Sequence, residues 1–287
     1  MGHGRGVLIA IASSALGGIG AAVTRYLVFN ADPLTLATLR WGIGTACLLP
    51  TALVLRSKMP PRRDLLPIAV LGFGFFGVFF VLYNIAVSYT TAARASLALS
   101  TAPLLTMMVA ALLGKESLTK RKTIGVCVAV AGAVASLATG LSAAPSGAWQ
   151  GELIMAGAVV YMAFYNVWSR PFIQRSSALG FLAVGMSSGA IGLIILGLAT
   201  HRIEVLTAFS LPQWLAGTYL GVGAGALAFI LWAIALQRTT PTRVATTITV
   251  QPVAAAALAA YLLGEPITAP LVAGLLAVFC GIWIATT

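Results

Sequence analysis

Residues 72–77 read GFGFFG, and residues 221–226, at an offset of 149 positions, read GVGAGA. The first is a literal G-x-G-x-x-G, the spacing that lets a loop bring its backbone against a pyrophosphate. That chemistry needs a buried strand before the glycines and a helix opening after them. Here the glycines sit inside uninterrupted apolar runs, at about 65–87 and 213–236. A phosphate-cradling loop at that depth would leave backbone N–H and C=O groups unpaired in hydrocarbon. Small residues at this density instead let helices approach closely or bend. The stretch therefore reads as part of a membrane helix and not as a nucleotide site.

The rest of the chain agrees. Of 287 residues, 60% are hydrophobic and 8% charged, with mean hydropathy +1.00. A soluble domain carries roughly 25% charged residues. Ten apolar runs can be marked, at about 6–26, 33–55, 65–87, 92–113, 123–140, 151–169, 178–200, 213–236, 242–263 and 268–285. Each is about the ~20 residues that cross a bilayer as a helix. Polar links such as RSKMPPRRD (56–64) separate them, and no soluble domain is left over. The first run is too long for a typical signal-peptide core and is expected to be retained.

The net charge of +11 invites a nucleic-acid partner, but its distribution points elsewhere. If the links alternate between two sides, thirteen of the seventeen basic residues fall on the side of the N-terminus. Only Arg25, Arg94 and Arg202 fall on the other side, and Arg40 lies within the second run. This is the positive-inside pattern, which predicts cytoplasmic termini in a bacterial inner membrane. The expected partners are a bilayer and a small-molecule substrate, with no nucleic acid. Cys47, Cys127 and Cys280 are not spaced as a metal or redox site and read as small buried hydrophobes. No metal or cofactor is expected.

The offset that joins the two glycine runs also aligns Arg94 with Arg243, Pro103 with Pro252, Glu116 with Glu265, Gly125 with Gly274 and Gly132 with Gly281. YTTAARAS (89–96) meets RTTPTRVA (238–245). The chain therefore divides into a repeat at 1–140, a linker at 141–150 and a second repeat at 151–287. Five crossings per repeat is an odd number, so the second repeat is expected upside down relative to the first. Inverted repeats are the architecture of alternating-access carriers, with the substrate near the midplane between them. The fold class is thus an all-α polytopic membrane protein. GMSSG (185–189) matches a serine-hydrolase elbow, but the only histidines, His3 and His201, lie outside the apolar runs. An enzyme is not expected.

The residues 102–132, APLLTMMVAALLGKESLTKRKTIGVCVAVAG, and 251–281, QPVAAAALAAYLLGEPITAPLVAGLLAVFCG, carry a resemblance. Proline in the fourth and ninth runs, glutamate after each, and glycines in the next resemble the EamA type of the drug/metabolite transporter superfamily. DPLTLATLRW (32–41) is similar to the early segment of its first repeat. The resemblance spans the chain and implies export of amino acids, metabolites or drugs, with bacterial exporters of aromatic and neutral amino acids the most similar branch.

Candidate site residues follow from polar and aromatic groups within the runs. Tyr83 and Asn84 lie in the third run, Tyr161 and Tyr165 one turn apart in the sixth, and Trp232 at the repeat partner of Tyr83. Ser96 and Ser100 precede Pro103, and Thr246 and Gln251 precede Pro252. These nine are expected to bind substrate, with ordinary interhelical packing as the competing reading. Pro103 and Pro252 are expected to kink their helices and free the carbonyls of Leu99 and Ile248, acting as hinges or as packing kinks. Arg94 and Arg243 read as helix-end anchors or gate elements. Arg40 reads first as a snorkelling or structural cation and second as a partner for a substrate carboxylate. No Asp or Glu lies in the middle of a run, and proton-coupled carriers commonly use such a group. The groups present suit a neutral zwitterion with an apolar side chain, moved by facilitated export. A multidrug exporter, a channel and, least of all, a membrane enzyme are the alternatives.

Overall fold

The computed structural model describes residues 2–114, 119–139, 144–238, 244 and 247–286, and these are helical with short connections. We number the helices α1 (Gly2–Leu27), α2 (Pro33–Val54), α3 (Arg62–Tyr89), α4 (Ala92–Leu112), α5 (Lys120–Thr139), α6 (Ala148–Arg175) and α7 (Ala178–Ala199). A 3-10 segment, Arg202–Ala208, leads to α8, which runs as Leu211–Gly221, Val222–Leu227 and Ala228–Arg238. Then come α9 (Val250–Leu263) and α10 (Ala269–Thr286). Seven of these, α1–α4 and α6–α8, contain stretches long and apolar enough to cross a membrane. The other three expected crossings correspond to shorter apolar helices at Thr123–Ala138, Thr247–Leu263 and Ala269–Gly281.

Several helix starts are written in the local sequence. The Asp32 carboxylate accepts the amides of Leu34 and Thr35 ahead of Pro33 at the first helical position, the arrangement that satisfies orphan N–H groups. Thr91 and Ser177 cap α4 and α7 in the same way. Ser210 and Gln213 form a reciprocal capping box on α8.

The packing relates the two halves. α1 lies on α8 and α9, while its counterpart α6 lies on α3 and α4; α3 lies on α7, while α8 lies on α2. The pairs α2–α7, α4–α9 and α5–α10 join counterparts directly. Exchanging the halves maps each of these pairings onto another or onto itself, so the repeat seen in sequence is also a pseudo-twofold in packing. The halves interleave, and α5 and α10 form a separate pair to one side. Their seam is symmetric too: Gly132 faces Ala277 and Gly281 faces Ala129, each too close for a side chain on the glycine.

The two glycine runs acquire a specific role. α3 widens into π turns at Phe73–Phe79, and α8 does the same at Val222–Leu227. π turns inside α-helices are uncommon and frequently mark functional sites. Gly72 lies directly on the backbone of Gly185 in α7, and Gly74 makes room for the Tyr161 hydroxyl of α6.

Two expectations, on the cysteines and on Arg40, are corrected here, and the prolines are placed. Pro103 lies midway along α4, at a break in that helix. α4 is interrupted at Ser100–Thr101, and Pro103 falls in the first turn of the segment Ala102–Leu112. Pro252 likewise falls in the first turn of α9, after the 3-10 turn Thr247–Thr249. A proline is tolerated in a first turn because its missing N–H has no intrahelical acceptor there. The cysteines are exposed at the outer surface of the bundle rather than buried, where a thiol faces lipid as easily as a methyl group. Arg40 does not snorkel: it is 4% exposed and held inside the protein.

Candidate functional site

The core where the halves meet is aromatic. α3 supplies Phe75, Phe76, Phe79, Phe80 and Tyr83, all buried; α2 supplies Trp41, α6 Tyr165, α7 Phe181 and α8 Phe229. Phe75 stacks on Tyr165 at 3.9 Å between centroids and 8° between planes. Trp41 meets the edges or faces of Phe80, Phe76 and Phe229 at 4.5, 4.7 and 5.4 Å. Offset-stacked and edge-to-face pairs like these contribute about 0.5–1.5 kcal/mol each beyond area burial. The Phe75 and Phe76 rings leave the helix within its π turns, so the glycine-rich stretch both bends α3 and presents its rings inward.

Within this cluster lies one cation. The Arg40 Nη2 donates to the Ala224 carbonyl, in the π turn of α8, at 2.9 Å. Its guanidinium carbon lies 4.6 Å from the Phe80 ring centroid and 5.2 Å from that of Trp41, within the range of cation–π attraction.

Other charges gather at the two ends of the bundle, in pairs that cross between the halves. At one end Arg94 on α4 pairs with Glu152 on α6, Nη2 to Oε1 at 2.5 Å, and also donates to the Leu137 carbonyl of α5. Beside it Arg25 on α1 pairs with Glu265, after α9, at 3.4 Å and donates to the carbonyls of Val87 and Ser88. The Ala92 amide also donates to Glu265. Arg202 meets Asp32 at 3.3 Å. Burial pushes the Glu265 carboxyl up, against the opposing pull of the Arg25 guanidinium and the Ala92 amide. The Arg25 pair is therefore intact above that raised value and is lost as the pH falls through it. At the other end, Asp64 at the start of α3 accepts two bonds from Arg175, at 2.8 and 3.0 Å.

The sequence candidates fall into different settings. Tyr83 and Tyr165 belong to the aromatic core. Tyr161 is half-buried against Gly74. The Asn84 amide donates to the Pro33 carbonyl at 2.9 Å, tying α3 to the start of α2. Ser100 donates to the Leu97 carbonyl at the break in α4, and the Ser96 hydroxyl is buried without a partner. Gln251 lies against Gly17 and Gly18 of α1. Trp232 packs with Ala10, Ala235 and Val244, in a cluster separate from Tyr83. Thr246, Arg243 and Glu116 lie outside the described residues. The sequence reading does not single out Phe75, Phe76, Phe79 and Phe229, although the first two stand between the glycines Gly74 and Gly77. It also passed over the Arg25–Glu265 pair, whose partners are far apart in the chain.

The match to known families is direct: residues 4–138 and again 149–287 match the EamA-like transporter family. The chain belongs to that family. Its similar proteins include "Uncharacterized transporter YyaM" of Bacillus subtilis, 27% identical over 73% of this chain and 70% of that one. Another is "Probable terminal-alkyne amino-acid exporter" of Streptantibioticus cattleyicolor, 27% identical over 69% of this chain and 65% of that one. A third is "Probable amino-acid metabolite efflux pump" of Salmonella typhimurium, 26% identical over 93% of this chain and 90% of that one. A crystal structure superposes with a TM-score of 0.70 at 22% identity, covering 99% of this chain and 97% of its own, which speaks to the fold alone. The chain is thus a multi-pass membrane protein of a transporter family with bacterial members.

Proposed function

We propose that this chain exports small neutral metabolites, foremost amino acids with aromatic or other apolar side chains, by alternating access between two inverted repeats. The observation that carries the reading is the aromatic core at the junction of the halves, in a part of the protein where no acidic residue lies among the described residues. Rings offer an apolar side chain stacking surfaces. The names of two relatives, which refer to amino acids, agree with it. The thirteen basic residues on the side of the N-terminus orient that side to the cytoplasm of a bacterial inner membrane. Without an intramembrane carboxylate to relay protons, transport runs down the substrate gradient.

The test is efflux of labelled phenylalanine from proteoliposomes with and without an imposed pH gradient. Saturable efflux independent of that gradient is expected; accumulation of phenylalanine against its own gradient, driven by pH alone, overturns the facilitated mechanism. In the same assay Tyr165→Ala is expected to raise the KM for phenylalanine and tryptophan roughly tenfold, the equivalent of one aromatic pair. Tyr165→Phe, which keeps the ring, is expected to retain the KM.

A further inference from the structure

Arg40 is a full charge enclosed by protein, and the chain supplies it no counter-ion among the described residues. Each described acid is engaged elsewhere: Asp32 with Arg202, Asp64 with Arg175, Glu152 with Arg94, Glu204 with His201 and Glu265 with Arg25. Within hydrogen-bonding reach Arg40 has one carbonyl, that of Ala224. The phenols of Tyr83 and Tyr219 are its other polar neighbours, and Tyr219 spends its proton on the Leu16 carbonyl. A buried cation in this state is costly unless something anionic completes it.

A second observation points the same way. The Arg40 Nε is buried without a partner, and so are the Trp41 Nε1 and the Thr45 Oγ1 on the same helix. Buried donors left unpaired are rare in folded proteins and ask for an explanation. Nε of arginine and Nε1 of tryptophan can only donate, so what each of them lacks is an acceptor. One guanidinium edge offering parallel N–H groups fits a carboxylate. A single positive charge fits a monoanion and not a dianion. Beside it stand the rings of Phe80 and Trp41, and Phe229 packs against Trp41.

We infer that Arg40 is the residue that binds the carboxylate of the transported solute, so that the substrates are monocarboxylates and zwitterions whose apolar portion lies on the adjoining rings. This rests on the exporter reading above, specifies a carboxylate among its neutral zwitterions and adds monoanionic carboxylates to them. Arg40 sits between α1, α2, α3 and α8, where an arriving anion would pull on both halves at once, through α2 and through the π turn of α8.

The test is competition against labelled phenylalanine counterflow by four probes: phenylalanine, phenylalaninamide, 3-phenylpropanoate and phenethylamine. The two carboxylates are expected to compete about tenfold or more better than the two probes without one. Arg40→Lys is expected to keep that preference in weakened form and Arg40→Met to abolish it. If 3-phenylpropanoate is bound and exchanged while no amino acid is, the amino-acid reading falls and the role of Arg40 stands. If the amide competes as well as the acid in the unmodified protein, the inference is overturned without any variant having to fold. It is equally overturned if Arg40→Met slows every probe by the same factor and lowers the thermal midpoint in detergent, which would make Arg40 a clamp between α2 and α8.

Discussion

Replacing Gly72 by leucine is expected to cost about 3 kcal/mol or more of stability and to leave little folded protein. A side chain at this position has to occupy the space of the Gly185 backbone, at its Cα and carbonyl. Backbone cannot rotate away as a side-chain tip does, so α3 must move off α7, and over-packing of this kind costs about 1–3 kcal/mol even where side chains can yield. The seam joins the two halves and borders the π turns, so displacing it also disturbs the Phe75–Tyr165 stack. Gly157→Ala is the control, because a methyl there meets nothing within 4 Å. Thermal unfolding in detergent, followed by loss of the monodisperse peak on gel filtration, should separate the two variants clearly. Equal midpoints would show that α3 and α7 are not packed as described.

The second large effect is expected at Arg94 and Glu152. Both side chains are largely buried, at 9% and 11% exposure. Truncating one partner strands the other as an uncompensated charge, at about 3–5 kcal/mol. Arg94→Ala should therefore lower stability strongly, and Arg94→Ala with Glu152→Ala should cost much less than the sum of the two single changes. A double-mutant cycle on thermal or denaturant unfolding reads that coupling; additive costs would contradict the pair. Because Arg94 also holds the Leu137 carbonyl, the Glu152→Ala variant is expected to be the milder of the single changes.

Much of this fold is legible in the sequence because the bilayer leaves few options. Hydrocarbon demands that backbone groups be satisfied within a helix, and a repeat at a fixed offset forces related packing. The symmetric pairings of α1 with α8 and α9, and of α6 with α3 and α4, follow from it. Helix starts at Asp32, Thr91, Ser177 and Ser210 are equally local. What was not legible depends on three-dimensional neighbours. Nothing in the spacing of GFGFFG distinguishes a close helix crossing from π turns, since both want small residues. The depth of Arg40 was not legible either: a lone arginine seven residues into an apolar run can snorkel or be enclosed, and only the rings of Phe80 and Trp41 around it decide. Asn84, polar and deep, reads as a ligand-binding residue, and nothing in the sequence signals that one N–H of its amide goes to a carbonyl 51 residues away. The prolines are legible as breaks, but whether a break is a bend or a restart of the helix at Ala102 depends on the surrounding helices.

The most direct test of the account is counterflow in proteoliposomes. Vesicles preloaded with unlabelled phenylalanine, tryptophan or threonine receive a trace of the labelled amino acid outside, with no ion gradient. A carrier that alternates between two inverted halves predicts transient, saturable accumulation of label. Label that enters in linear proportion to its concentration without overshoot, or no entry for any amino acid, would contradict it.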